Sequence, residues 1–266
     1  NEWYGWRVAF LVVGLPGILI ALLVRFTVSE PPRGYSEALV HEVPPPPFWA
    51  VVRFLFASPV LRNVVIAGTL TAFAGYASVI WVPIYLVRIH EMGTGEAGTY
   101  LALTLGVGGA IGIYLGGRIA DHLGKKYGEH WLAWLVAIVG LISVPFMLLC
   151  FFAETAETAI LAYAIPAFLG TIYVACGFAL IQNHTPLEMR SVCAAINLFI
   201  LNIIGLGLGP FTIGLLSDLF EPSMGQDSLR YGLLATLVAI VLGCWYYYRT
   251  GAFILRTRDR AIVSSL

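Results

Sequence analysis

Charge is what this sequence has least of. Only 11% of its 266 residues are Asp, Glu, Lys or Arg, about half the share of an average soluble domain, whereas 59% are hydrophobic. That composition excludes a soluble enzyme and makes a membrane protein the leading class. The 15 basic and 15 acidic side chains cancel, so no nucleic-acid partner is indicated. No Asp, Glu, Lys or His falls near the middle of a long apolar run. The midplane acid usual in a proton relay is therefore absent, as are the clustered carboxylates or histidines a membrane enzyme would need. Cysteine is scarce as well. Cys150, Cys176, Cys193 and Cys244 all sit in apolar runs without metal-ligand spacing, and they read as small packing residues. No metal or cofactor is expected. His184 is the one histidine beside several polar residues, at the end of an apolar run, where a structural role is favoured. The sequence has no initial methionine and no signal-peptide pattern, so it is expected to be an internal stretch of a longer protein.

Apolar runs are what is present. About 20 apolar residues cross a bilayer as a helix, and seven runs qualify: 7–27, 62–87, 96–119, 131–152, 157–182, 188–217 and 229–249. The fold expected is an all-α integral membrane bundle. Gly108, Gly112, Gly117 and Asp121 recur 97 residues later as Gly205, Gly209, Gly214 and Asp218. The same shift moves spans two to four onto spans five to seven. Three helices repeated in series enter the membrane from opposite sides, giving an inverted repeat of the kind found in secondary transporters.

Lys and Arg in the connections set the orientation. One side collects Arg25, Arg33, Arg53, Arg62, Arg118, Lys125, Lys126, Arg190, Arg249, Arg256, Arg258 and Arg260, the other only Arg7, Arg88 and Arg230. The first side is expected to be cytoplasmic, with residue 1 outside and the C-terminus inside, in a cell membrane. Residues 28–61 form the longest connection, with Glu30-Pro31-Pro32-Arg33-Gly34 and Pro44 to Pro47 as semi-rigid spacer elements. Phe48 to Ala57 reads as a short apolar helix lying on the membrane surface or packed beneath the bundle. The expected organisation is a last helix of one bundle (1–27), a linker (28–61), a six-helix bundle (62–251) and a tail (252–266).

Residues 117–126, GRIADHLGKK, resemble the loop signature of the major facilitator superfamily, whose strong copy lies between the second and third helices and looser copy between the eighth and ninth. Here it falls between spans three and four, so the resemblance implies five further helices ahead of this chain. Gly5-Trp6-Arg7 with Gly14-Leu15-Pro16-Gly17 and Glu30–Gly34 looks like the sixth helix of bacterial spinster-like members. Pro186 to Asp218, with Arg190, Asn202 and Gly209-Pro210, is similar to their eleventh. The resemblance implies a twelve-helix transporter that works by alternating access on lysophospholipids or sphingosine-type lipids, often coupled to protons. On that reading the titrating residue lies outside this chain, and the chain alone does not transport. An efflux transporter for drugs or organic anions is the runner-up. A seven-span receptor is disfavoured by the repeat and by the missing loop cysteines.

The expected partners are the bilayer, a small amphipathic substrate and the preceding bundle. Substrate contacts fall to uncharged groups: Thr69, Phe73 and Tyr76 (with Ile80) at helical spacing on span two, Thr104 on span three, Tyr173 on span five, and Asn197 and Asn202 on span six. Asn in hydrocarbon needs a partner on another helix or a ligand. Five residues separate the two asparagines, so at most one is expected to face a cavity centre. Gating or structural roles fall to Gly117, Arg118, Asp121, Gly124, Lys125 and Lys126, and to Gly209, Pro210, Gly214 and Asp218. In the family the acid matching Asp121 takes part in charge contacts that close the inward side. Here it could pair with Arg118 or a lysine, or accept from backbone N–H groups at a helix start. The glycines and Pro210 could bend span six or simply allow close packing.

Overall fold

A computed structural model describes residues 5–29 and 46–264. By its contacts the chain divides into two compact units, Asn1–Pro44 and Pro45–Leu266. In the first, α1 (Gly5–Thr27) carries Pro16 within it. Its described side chains are exposed, and Gly14 and Gly17 meet nothing within 4 Å. Asn1–Tyr4, Glu30–Gly34 and Pro44 lie outside the described residues.

The second unit opens with α2 (Phe48–Ala57) and α3 (Pro59–His90). Pro47 and Ser58 bound α2, and Ser58 caps α3 by accepting from the Leu61 N–H at 3.4 Å, with Pro59 in the first turn. Val51 and Leu55 are fully buried while Trp49 is exposed, so α2 packs one apolar stripe under the bundle. By contacts α2 falls in the second unit, which begins at Pro45. Then follow α4 (Thr94–Leu101), a π-helical segment (Ala102–Gly108), α5 (Gly109–Tyr127), α6 (His130–Phe151), α7 (Ala156–Leu169) and α8 (Ile172–Asn183). The unit closes with α9 (Arg190–Ile200), a second π-helical segment (Leu201–Leu208), α10 (Gly209–Met224) and α11 (Ser228–Ser264). Residues 252–264 thus continue α11.

Six helical stretches among the described residues are long and apolar enough to cross a membrane, the last being Leu187–Asp259. That last stretch reverses at Gly225, whose φ of 55° and ψ of −130° suit glycine. Beyond the turn, Ser228 Oγ lies 3.3 Å from Ser217 Oγ, and Gly232 faces the Ile213 carbonyl. These pairs make α10 and α11 antiparallel, so the stretch crosses twice. The apolar runs therefore found the crossings but not their ends. Span three extends to Tyr127, because a helix continues past the bilayer wherever its residues allow, and the signature at 117–126 is helical rather than a loop. Span five is broken at Gly170-Thr171, where α7 ends and α8 begins.

The two triplets, α3 to α6 and α7 to α11, show their kinship in packing. The second span of each carries the π segment, and each π segment leads into a glycine, Gly109 or Gly209. Gly112 lies against the Phe168 carbonyl, and Gly209 lies against the Phe73 carbonyl, where a Cβ would sit 2.7 Å from the oxygen. The second span of each triplet thus presses a glycine onto the first span of the other. The core forms two clusters. One, around Leu61, Ile181 and Cys193, includes the α2 residues; the other is around Tyr85, Phe151 and Leu229. Tyr85 Oη donates to the Cys150 carbonyl at 2.8 Å, closing the second cluster.

The ends differ in charge. Arg258 Nη1 donates to the Tyr127 carbonyl at 3.4 Å, and His184 Nδ1 lies 3.4 Å from Glu129 Oε1. These contacts gather the ends of α5, α8 and α11, with Lys125 and Lys126, at one face. Arg88 pairs with Glu221 at 3.5 Å and Arg230 with Asp227 at 3.0 Å at the opposite end.

Candidate functional site

Between the two core clusters lies a cavity of about 300 Å³, within the range of small-molecule sites. Its mouth opens between α3 and α8, where Gly75, Val79 and Val174 are exposed. Its floor is supplied by α6 and α11 through Val136, Ser143 and Cys244, all buried. The break at Gly170-Thr171 holds the wall open, and Thr171 turns its hydroxyl back to the Phe168 carbonyl at 3.0 Å. Among the described residues no Asp, Glu, Lys, Arg or His lines it. Its polar groups are hydroxyls, those of Tyr76, Tyr163 and Tyr173 among them.

A smaller cavity of about 120 Å³ adjoins it and shares Tyr76, Tyr173 and Val174. Asn197 and Asn202 both border this second space. Five residues of regular α-helix would set them well apart, but the helix widens into a π turn at Leu201 and narrows that angle. Asn197 is the buried one. Asn202 is exposed; it accepts from Tyr76 Oη at 3.3 Å through Oδ1 and donates to the Leu198 carbonyl at 2.8 Å.

Four of the seven expected contact residues, Tyr76, Tyr173, Asn197 and Asn202, thus stand around connected space. The other three do not line either cavity. Thr69 is buried and spends its hydroxyl on the Val65 carbonyl at 2.7 Å. Thr104 donates to the Leu101 carbonyl at 3.2 Å. Phe73 lies where α10 crosses α3, its carbonyl against Gly209. A threonine in an apolar helix commonly returns its hydroxyl to a carbonyl one turn back, as Thr69 and Thr104 both do. Ser78, Ser143, Tyr163 and Thr171 line the larger cavity and went unread. Only Pro166 followed by Gly170-Thr171 carried a sequence signal, that of a broken helix.

Arg118 turns back one helical turn and donates to Tyr114 Oη at 2.9 Å, since long side chains on a helix lean toward its N-terminus. Asp121 is exposed and forms no ion pair among the described residues, so the expected pairing with Arg118 or a lysine is not formed. Asp218 is exposed likewise. Lys125 and Lys126 are exposed, with Lys126 Nζ 5.0 Å from the Tyr127 ring. Gly117 meets nothing within 4 Å; the tight contact belongs to its neighbour Gly116, against Ile172. A Cβ on Gly124 would lie 2.8 Å from Leu132, and one on Gly214 would lie 3.0 Å from the Trp81 ring. The Pro210 carbonyl accepts from Trp81 Nε1 at 2.8 Å.

The family model for the Major Facilitator Superfamily matches residues 1–210. An MFS-type efflux pump of Mycolicibacterium smegmatis is 31% identical over 238 residues, which cover 90% of this chain and 54% of the pump. A sphingosine-1-phosphate transporter of Danio rerio is 26% identical over 280 residues, covering 96% of this chain and 55% of that protein. A crystal structure of a bacterial homolog of the human lysosomal transporter spinster, inward-facing and unoccupied, superimposes with a TM-score of 0.74 at 25% identity. It covers 94% of this chain and 60% of the other. The chain spans about half the length of the curated relatives it matches.

Proposed function

The chain belongs to the Major Facilitator Superfamily, a family of transporters rather than enzymes, in its spinster-like part, and from that premise we propose that it forms the second bundle of an alternating-access carrier for a small amphipathic lipid. On this reading α1 is the last helix of a preceding bundle, α2 lies beneath the second bundle, and the two bundles enclose the transport path. Residue 1 faces outward and the Lys- and Arg-rich end faces the cytoplasm, in a cell membrane. Lysophospholipids and sphingoid lipids are the substrate class.

The observation that carries the reading is the lining of the cavity between α3 and α8: apolar walls, neutral hydroxyls and no charged side chain. An acyl chain gains free energy on entering such a space. A hydrophilic dianion would lose its hydration there with no cation to receive it. Among the described residues no Asp, Glu, Lys or His lines either cavity, so we place any proton relay outside them. The efflux-pump relative favours a second reading, extrusion of apolar drugs, which the same lining would accept.

The test is flux into proteoliposomes holding the full-length protein. Uptake of a lysophospholipid, unaffected by excess glucarate, supports the proposal. Glucarate uptake with no lysophospholipid uptake overturns it, and uptake of a neutral apolar drug alone favours the drug reading.

A further inference from the structure

Tyr247 on α11 is among the most deeply buried side chains, at 1% exposure. Its hydroxyl is buried without a hydrogen-bond partner among the described residues. Two glycines make room for that oxygen: a Cβ on Gly68 of α3 would lie 3.6 Å from it, and one on Gly177 of α8 3.4 Å. Buried polar atoms are nearly always paired, and a phenylalanine would fill the same slot without stranding an oxygen. Tyr247 lines the 120 Å³ cavity together with those two glycines. Asn197, 5% exposed, borders it too and makes no hydrogen bond with its amide among the described residues. One small space is therefore lined by a tyrosine and an asparagine whose polar groups are unused among the described residues, with the Tyr76–Asn202 pair beside them.

The chemistry of this set is specific. It offers a donor hydroxyl and an amide that both donates and accepts, and it has no charge. A phosphate or ammonium would enter without a counter-ion. An alcohol fits, since its oxygen accepts from one group while its hydrogen goes to another. At about 30 Å³ per water-sized group, the cavity holds roughly four such groups. It opens onto the larger apolar cavity along Tyr76, Tyr173 and Val174, so one molecule can occupy both.

We propose that the cavity bordered by Tyr247 and Asn197 is a hydroxyl-recognition subsite. The Tyr247 phenol donates to an alcohol oxygen of the amphiphile, the Asn197 side-chain carbonyl accepts that alcohol's hydrogen, and the acyl chain occupies the larger cavity. This deepens the lipid-carrier reading and rests on it.

The probes are palmitoyl lysophosphatidylethanolamine and its deoxy analogue, in which hydrogen replaces the free glycerol hydroxyl. Binding is read as the rise in Tm of the purified full-length protein, and flux is measured in parallel. The wild type is expected to bind the hydroxyl form at least tenfold more tightly than the deoxy form, because a site built around a hydroxyl discriminates strongly against its loss. Tyr247→Phe is expected to bring the two within about twofold. Asn197→Leu is expected to do the same. Without ligand, Tyr247→Phe should melt no lower than wild type, since its oxygen has no partner to lose. Equal binding of the two lipids by wild type overturns the proposal, as does tenfold discrimination that survives in Tyr247→Phe. A lower ligand-free Tm for Tyr247→Phe with discrimination intact means the hydroxyl serves an internal water, and also overturns it. Discrimination in binding without any flux sinks the carrier reading and leaves the subsite standing.

Discussion

Gly112 and Gly209 are the residues on which the packing of the two triplets turns. At each, a carbonyl of the opposing span occupies the place of a side chain, and backbone cannot swing aside as a flexible side chain can. Gly209→Ala is therefore expected to cost about 1–3 kcal/mol, the usual range for overpacking, and Gly112→Ala the same. Gly117→Ala, with open space around it, should be neutral. Thermal unfolding of the full-length protein in detergent checks all three, and equal Tm values across the set would contradict the packing described. The sequence repeat marked Gly112 and Gly209, which do sit in matching environments. It also marked Gly117 with Gly214, which do not, since only Gly214 meets a neighbour. A repeat in sequence reports shared ancestry of a position, not the contact made there today. Trp81 supplies a second check: Trp81→Phe removes its hydrogen bond to the Pro210 carbonyl and should cost about 1 kcal/mol.

Among the elements, the helices were legible wherever a bounding residue marked them. Phe48–Ala57 was readable to the residue because Pro47 precedes it and Ser58-Pro59 follows. The π segments were not legible. A span that is apolar on nearly every side has no stripe from which a change of pitch can be read. Those segments matter because the one at Leu201–Leu208 brings Asn197 and Asn202 to a common cavity. A π turn accommodates extra residues in an otherwise regular helix, so deleting Ile204 should let the segment relax toward α geometry. The expected outcome is a folded protein in which lysolipid binding falls at least tenfold, with Tm within a few degrees of wild type. Binding retained at full strength would show that the widened turn has no part in the site.

For the whole molecule, the account rests on an exchange between two access states, and Asp121 is the place to perturb it. The acid is exposed at the charged end of α5 and forms no ion pair among the described residues. Under our proposal its partner is supplied when the cytoplasmic side closes. Asp121→Asn should then shift the population toward inward-open. Cysteine-accessibility labelling from both sides would register this, and unchanged labelling would refute it. The larger claim, that the substrate's acyl chain lies in the cavity between α3 and α8, is tested most directly by photolabelling. A lysophospholipid carrying a diazirine at mid-chain would be activated on the full-length protein, and the modified residues mapped by mass spectrometry. Adducts are expected on Val79, Tyr173 and Val174 and should disappear with excess unmodified lysophospholipid. Adducts confined to the outer face between α6 and α11, at Trp134 and Trp245, with no protection by competitor, would contradict that claim.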